Sequence, residues 1–221
     1  MGCCTSRYTI TPEERWICYY ERQLNFKSIS PKTIEFVFKK WVGPEGLTLK
    51  RFQKSSENLG INIGDLSSPD DNIYQFYKQF KTNDTFNIDE LIIFGVFECS
   101  ARPEDKAEVW YDIIDKDLSG RLLTQQVKDF IKCLYKLTYK YLPKIASGTD
   151  DKFVSPEQIQ VYIEKADLHS EKFSAHITDL LTSNIALDKP GFQEKLREHY
   201  KITYPEGFRV LVKEFLNNGN K

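Results

Sequence analysis

The stretch that most constrains this chain is Asp115-Lys116-Asp117-Leu118-Ser119-Gly120-Arg121-Leu122, which runs on to Gln126. Oxygen-bearing side chains at alternate positions, followed by glycine, wrap a backbone around a hard cation. Asp115, Asp117 and Ser119 take the first, third and fifth ligand positions, and Arg121 offers its backbone carbonyl. Gly120 falls where the chain must turn sharply, a bend that is inexpensive only without a Cβ. Leu122 is the apolar residue expected to pair with a neighbouring loop. Apolar residues recur at helical spacing on both sides: Ala107, Trp110, Tyr111 and Ile114 before the loop, and Val127, Phe130, Ile131 and Leu134 after it. The spacing predicts helices over 104–114 and from 124 to about 137. Such a segment commits the chain to an all-α fold of helix–loop–helix units.

Whether the loop holds metal is a separate question. The twelfth position calls for a bidentate glutamate, and Gln126 supplies one neutral oxygen in its place. Two carboxylates remain, and charge count sets affinity in these loops. Calcium is therefore expected at one site at most, at about 10⁻⁴ M or weaker, with a loop kept for its shape the favoured reading. Three other frames lack a ligand set. In Lys81–Ile88, Lys81 replaces the first ligand, Phe86 the turn glycine and Ile92 the last glutamate, with Ile88 expected at the pairing position. Gly43-Pro44-Glu45-Gly46-Leu47 lies between a helix ending near Trp41 and one around Phe52. Ser183–Asp188 reads as a shortened fourth loop.

The remaining signals are helical. Thr11-Pro12-Glu13-Glu14, Ser30-Pro31, Ser68-Pro69-Asp70 and Ser155-Pro156-Glu157-Gln158 read as helix starts, the first and last as capping boxes. Ile34, Val37, Phe38 and Trp41 form a further apolar stripe. Asn87–Asp89 and Arg121–Leu123 are short spots suited to the two-stranded pairing that joins two helix–loop–helix units.

The amino end reads Met1-Gly2-Cys3-Cys4-Thr5-Ser6-Arg7. Gly2 with Ser6 matches an N-myristoylation signal, and Cys3 and Cys4 stand where palmitate is added. One myristoyl chain holds a membrane only marginally, so a second chain is what makes residence stable. Covalent myristate and palmitate on the cytoplasmic face of a membrane, plasma, ciliary or other endomembrane, in a eukaryotic cell, are the expectation. Five cysteines, an odd and sparse set, argue against a disulfide framework or zinc site. Thirty-one basic and 32 acidic residues argue against a nucleic-acid partner. The same balance suits loops that have lost carboxylates.

The amino-terminal glycine signal, the disrupted loop Gly43-Pro44-Glu45-Gly46 and the link Ser100-Ala101-Arg102-Pro103-Glu104-Asp105-Lys106 into the Asp115 loop together resemble the neuronal calcium sensor and recoverin family. That family sits in the EF-hand superfamily, with calcineurin B. The resemblance covers roughly residues 1 to 200. It implies an EF-hand fold: an acylated flexible tail (1–10), an N-terminal lobe with degenerate loops (11–100), and a C-terminal lobe with the loop at 115–126 (101–200). A C-terminal helix or tail (201–221) follows. It also implies partner binding through an apolar groove, which Phe208, Val212 and Phe215 of the tail would cover from within or use for docking.

Two functions follow. One is a membrane-anchored adaptor or scaffold that grips an amphipathic partner helix with little or no calcium dependence. The other is a calcium sensor regulating a kinase, phosphatase, channel or cytoskeletal motor through the 115–126 loop. An enzyme is not expected: His169, His176 and His199 form no HExxH pair, and no phosphate loop or nucleophile elbow occurs.

Overall fold

The computed structural model describes residues 10–68, 70–147, 154–183 and 185–218, and Gly2, Cys3 and Cys4 lie outside them. The chain is mostly helical, and most helix starts follow from local chemistry. Thr11 opens α1 (Pro12–Gln23) with a reciprocal capping box to Glu14. Ser30 caps α2 (Pro31–Trp41), and Ser155 with Gln158 closes a second box on α9 (Pro156–Asp167). The Ser68 signal is not used. Asp71 caps α4 (Asn72–Lys78) instead, because its carboxylate reaches the Tyr74 amide at 2.8 Å. The other helices are α3 (Leu49–Leu59), α5 (Ile88–Glu98), α6 (Pro103–Ile114) and α7 (Thr124–Lys136). A π-helical segment, Leu137–Tyr141, carries α7 on into α8 (Leu142–Ser147). The chain ends with α10 (Ser170–Thr182), α11 (Lys189–Glu198), a 3-10 turn at Tyr200–Thr203 and α12 (Pro205–Asn218).

Short strands tie the amino-terminal units together. β1 (Leu47–Thr48), β2 (Lys81–Thr82) and β3 (Thr85–Phe86) form a three-stranded patch in the order β1-β3-β2. Leu47 faces Phe86 across it. The expected pairing residue, Ile88, is instead the first residue of α5, and Asn87 caps that helix. The register is set by burial: Phe86 is 4% exposed and stacks on Phe52 with centroids 4.3 Å apart. A shift by one residue would turn that ring to solvent. A tight turn, with Asn83 at φ +58°, makes this compression possible.

The core is one continuous apolar cluster running from Ile17 to Val212. Leu91 through Glu98 of α5 are all buried, and from Leu91 to Phe97 the helix is central and apolar on every side. The helical stripes read from the sequence face inward: Ile34, Phe38, Ala107, Trp110, Val127, Ile131 and Leu134 are each fully buried. In the carboxy-terminal half, α6 packs on α11 and α7 on α10. Between those pairs the chain inserts α8 and α9, with α8 lying against α4 and α1.

Helix α12 is held by both packing and charge. Phe208 is fully buried and meets Phe97, Tyr135 and Phe173 edge-on, while Phe215 meets Phe173 and His176. Phe208 thus fills the space where α5, α7 and α10 meet. Arg209 makes a two-pronged ion pair with Glu21 of α1 at 2.7 and 3.0 Å, both side chains buried. Lys213 pairs with Glu14 one turn further along.

Beside this pair lies a cavity of about 240 Å³ lined by Glu21, Glu98, Lys106 and Glu206. The Lys106 ammonium donates to the carbonyls of Phe97 and Thr203. Glu98 is 7% exposed, and its Oε1 has no hydrogen-bond partner. Burial, then the charges of Glu21 and Glu206, push its pKa well up, against the opposing pull of Arg209 and Lys106. A carboxyl whose folded pKa is raised contributes stability fully below its unfolded pKa of about 4.3, and loses it as pH climbs through the folded value. Glu98→Gln removes that dependence. We expect the melting temperature of the variant, relative to the native protein, to rise between pH 4 and pH 8. A pH-independent difference in thermal melts would contradict this assignment.

Candidate metal loop

The loop between α6 and α7 is built around Asp115, which is 5% exposed. Its Oδ1 accepts from the Ser119 amide and hydroxyl, both at 3.0 Å, and its Oδ2 from the Gly120 amide at 2.9 Å. Burial pushes the Asp115 pKa up. Hydrogen bonds from Gly120, Ser119 and the neighbouring Asp117 outweigh that and hold it below the ordinary carboxylate value. Gly120 sits at φ +72°, the left-handed turn its sequence position requires. Asp115, Asp117, Ser119 and Arg121 are therefore brought to one loop.

The hydrogen bonding within that loop is largely closed. Ser119 Oγ lies 3.0 Å from Asp115 Oδ1 and 2.9 Å from the Arg121 carbonyl, so its single proton is shared between two acceptors that a cation would draw together. Gln126 is turned to other work. Its Oε1 accepts from the Leu123 amide at 2.7 Å, and its Nε2 approaches the Ile114 carbonyl at 3.4 Å. It caps the start of α7 and ties it to the end of α6. The donor set fits a hard divalent cation incompletely, since the strongest expected ligand is neutral and already engaged.

Leu122 pairs as expected. Its amide donates to the Leu187 carbonyl at 2.7 Å and its carbonyl accepts from the Leu187 amide at 3.0 Å, an isolated antiparallel bridge. This joins the Asp115 loop to the segment between α10 and α11. Asp188 of that segment caps α11 through the Gly191 amide and so acts as a helix start. Asn87–Asp89, expected as a strand spot, begins α5.

The first loop holds an internal cation. The Arg51 guanidinium donates to the Gly46 carbonyl at 3.3 Å and pairs with Glu45 at 3.0 Å. A Cβ on Gly43 would stand 1.4 Å from Arg51 Nη1, so glycine there makes room for the guanidinium. The sequence reading missed Arg51, although an arginine four residues past a ligand-free loop is a signal that could have been used. It also missed Arg209, whose partner is 188 positions away.

Cys18, Glu21 and Glu206 approach one another closely enough to suggest a metal group. Arg209 already fills that position, bonding Glu21 and lying 3.1 Å from Cys18 Sγ. Beside the Asp115 loop, a cavity of about 400 Å³ opens among Ile93, Ile113, Phe130 and Cys133, rimmed by Asp89 and Asp129.

No family model matches the chain, and no curated protein or solved structure matches it either. The fold defines a helical protein, and among the described residues no helix is long and apolar enough to cross a membrane.

Proposed function

We propose that this chain is an EF-hand adaptor, held on the cytoplasmic face of a membrane by myristate on Gly2 and palmitate on Cys3 and Cys4. In this reading it grips a partner helix without needing calcium. One observation carries the calcium independence: groups placed to hold a cation already have protein partners, Gln126 the Leu123 amide and the Ser119 hydroxyl the Asp115 carboxylate and Arg121 carbonyl that share its proton. The Leu122–Leu187 bridge supports the pairing of helix–loop–helix units. The cavity among Ile93, Ile113, Phe130 and Cys133 offers room for a partner's apolar side chains.

The cysteines support the choice of acylation sites. Burial raises the Cys18 and Cys133 thiols to about 12 and pushes Cys99 up as well. Thiols at such values supply little thiolate for acyl transfer at neutral pH. Cys3 and Cys4, beside Gly2, are the candidates that remain.

The experiment is fractionation of cells expressing the full chain, followed by partner capture. Gly2→Ala is expected to release the protein to the soluble fraction, and Cys3→Ser with Cys4→Ser to release it in part. Capture from detergent extracts is expected to give the same partners in chelator and in calcium, and after Asp115→Ala. Unchanged fractionation of all acylation variants would remove the anchor. Loss of capture in chelator would favour the sensor reading.

A further inference from the structure

Helix α1 sorts its charges between its two sides. Glu14 and Glu21 point inward and are neutralised by Lys213 and Arg209 of α12. Arg15 and Arg22 point outward, are exposed, and make no ion pair among the described residues. Pro12, Arg15, Tyr19 and Arg22 fall three and four apart, so they form one outward stripe. Tyr19 is 50% exposed, and Ile10, just before the helix, is 54% exposed. Trp16 and Tyr20 flank Tyr19, their ring centroids each 5.2 Å from its own.

An exposed tyrosine ring and an exposed isoleucine beside unpaired arginines are side chains that an interface of anionic lipid accepts: the ring sits at headgroup level and the guanidinium groups meet lipid phosphate and carboxylate. Chain geometry adds a second reason. Seven residues lie between Gly2 and Ile10, a reach of at most about 30 Å. An acyl chain on Gly2 would therefore keep α1 close to the bilayer it enters. Resting on the membrane-held reading above, we propose that the outward face of α1, made by Ile10, Arg15, Tyr19 and Arg22, lies on the surface of an anionic bilayer. The acyl chains supply attachment. This face supplies lipid preference and fixes which side of the protein is turned to the cytosol.

The test uses the full-length myristoylated protein and vesicles of phosphatidylcholine, with or without phosphatidylserine. The native protein is expected to bind the phosphatidylserine vesicles more tightly. Arg15→Gln with Arg22→Gln is expected to weaken that binding roughly 30-fold while leaving binding to phosphatidylcholine unchanged. These exposed positions should leave the fold intact, which far-ultraviolet circular dichroism checks. In a second measurement, made in a Trp16→Phe background so that no native indole lies beside Tyr19, Tyr19→Trp is expected to add fluorescence that brominated lipid quenches, and Phe36→Trp, on the exposed side of α2, to add fluorescence that it does not quench. Binding that ignores the double substitution, or a Tyr19→Trp signal that brominated lipid leaves untouched, overturns the proposed face alone. Failure of the acylated native protein to bind any vesicle overturns the anchoring reading and this face with it. Loss of partner capture in the double variant with full vesicle binding retained would overturn the proposal and assign the face to a protein.

Discussion

Arg209→Met is expected to cost about 3–5 kcal/mol of folding stability, because it leaves the Glu21 carboxylate buried without its partner. Glu21 is 4% exposed, and the guanidinium supplies two of its hydrogen bonds. Glu206, whose carboxylate comes within 4.8 Å of that of Glu21, adds repulsion once Arg209 is gone. For a chain of this length the loss corresponds to a fall of roughly 6–20 °C in melting temperature. Urea denaturation followed by circular dichroism measures it. Removing both charges, Glu21→Leu with Arg209→Met, is expected to restore much of the loss, since apolar replacements leave no buried charge behind. A single-variant loss below about 1 kcal/mol would show that the pair does not hold α12 in place.

The second large effect is a gain. Gln126→Glu is expected to create a calcium response larger than that of the native loop. Without metal, the new carboxylate can still accept from Leu123 but loses the donor that meets the Ile114 carbonyl, so the apo variant should be less stable by about 1 kcal/mol. With calcium, a third carboxylate, able to bind through both oxygens, joins Asp115 and Asp117, and affinity rises with ligand charge. At a calcium concentration a hundredfold above Kd, binding to the folded state alone adds about 2.7 kcal/mol. Thermal melts of both proteins with millimolar calcium and with chelator provide the comparison. A native melting temperature that rises as much as that of Gln126→Glu would contradict the reading of the loop.

The parts of the fold that were legible in the sequence were those governed by near neighbours. Capping boxes at Thr11 and Ser155 mark helix starts because the hydroxyl and the carboxylate or amide that answers it are three residues apart. The inward stripes and the bend at Gly120 are local in the same sense. Leu122 was legible as a pairing residue, and its partner, Leu187, lies in the segment read as a shortened loop. The register at Phe86 was not legible, because it depends on stacking against Phe52 of a different unit. The packing of α8 against α1 and α4 was equally hidden, since the π-helical turn that redirects the chain at Leu137–Tyr141 leaves no periodic mark. At the loop, residue types gave the frame and the missing glutamate. They did not give the direction of Gln126, which is decided by the orphan amide of Leu123 at the start of α7.

Calcium independence is tested most directly at the Gly120 amide, which donates to Asp115 Oδ2 at the centre of the loop. Its proton and nitrogen shifts report any cation that draws that carboxylate away. With the native full-length protein, the resonance is predicted to keep the same position in chelator and at about 10 µM free calcium. A saturable shift of that resonance over the same range would show that the loop is a working calcium site.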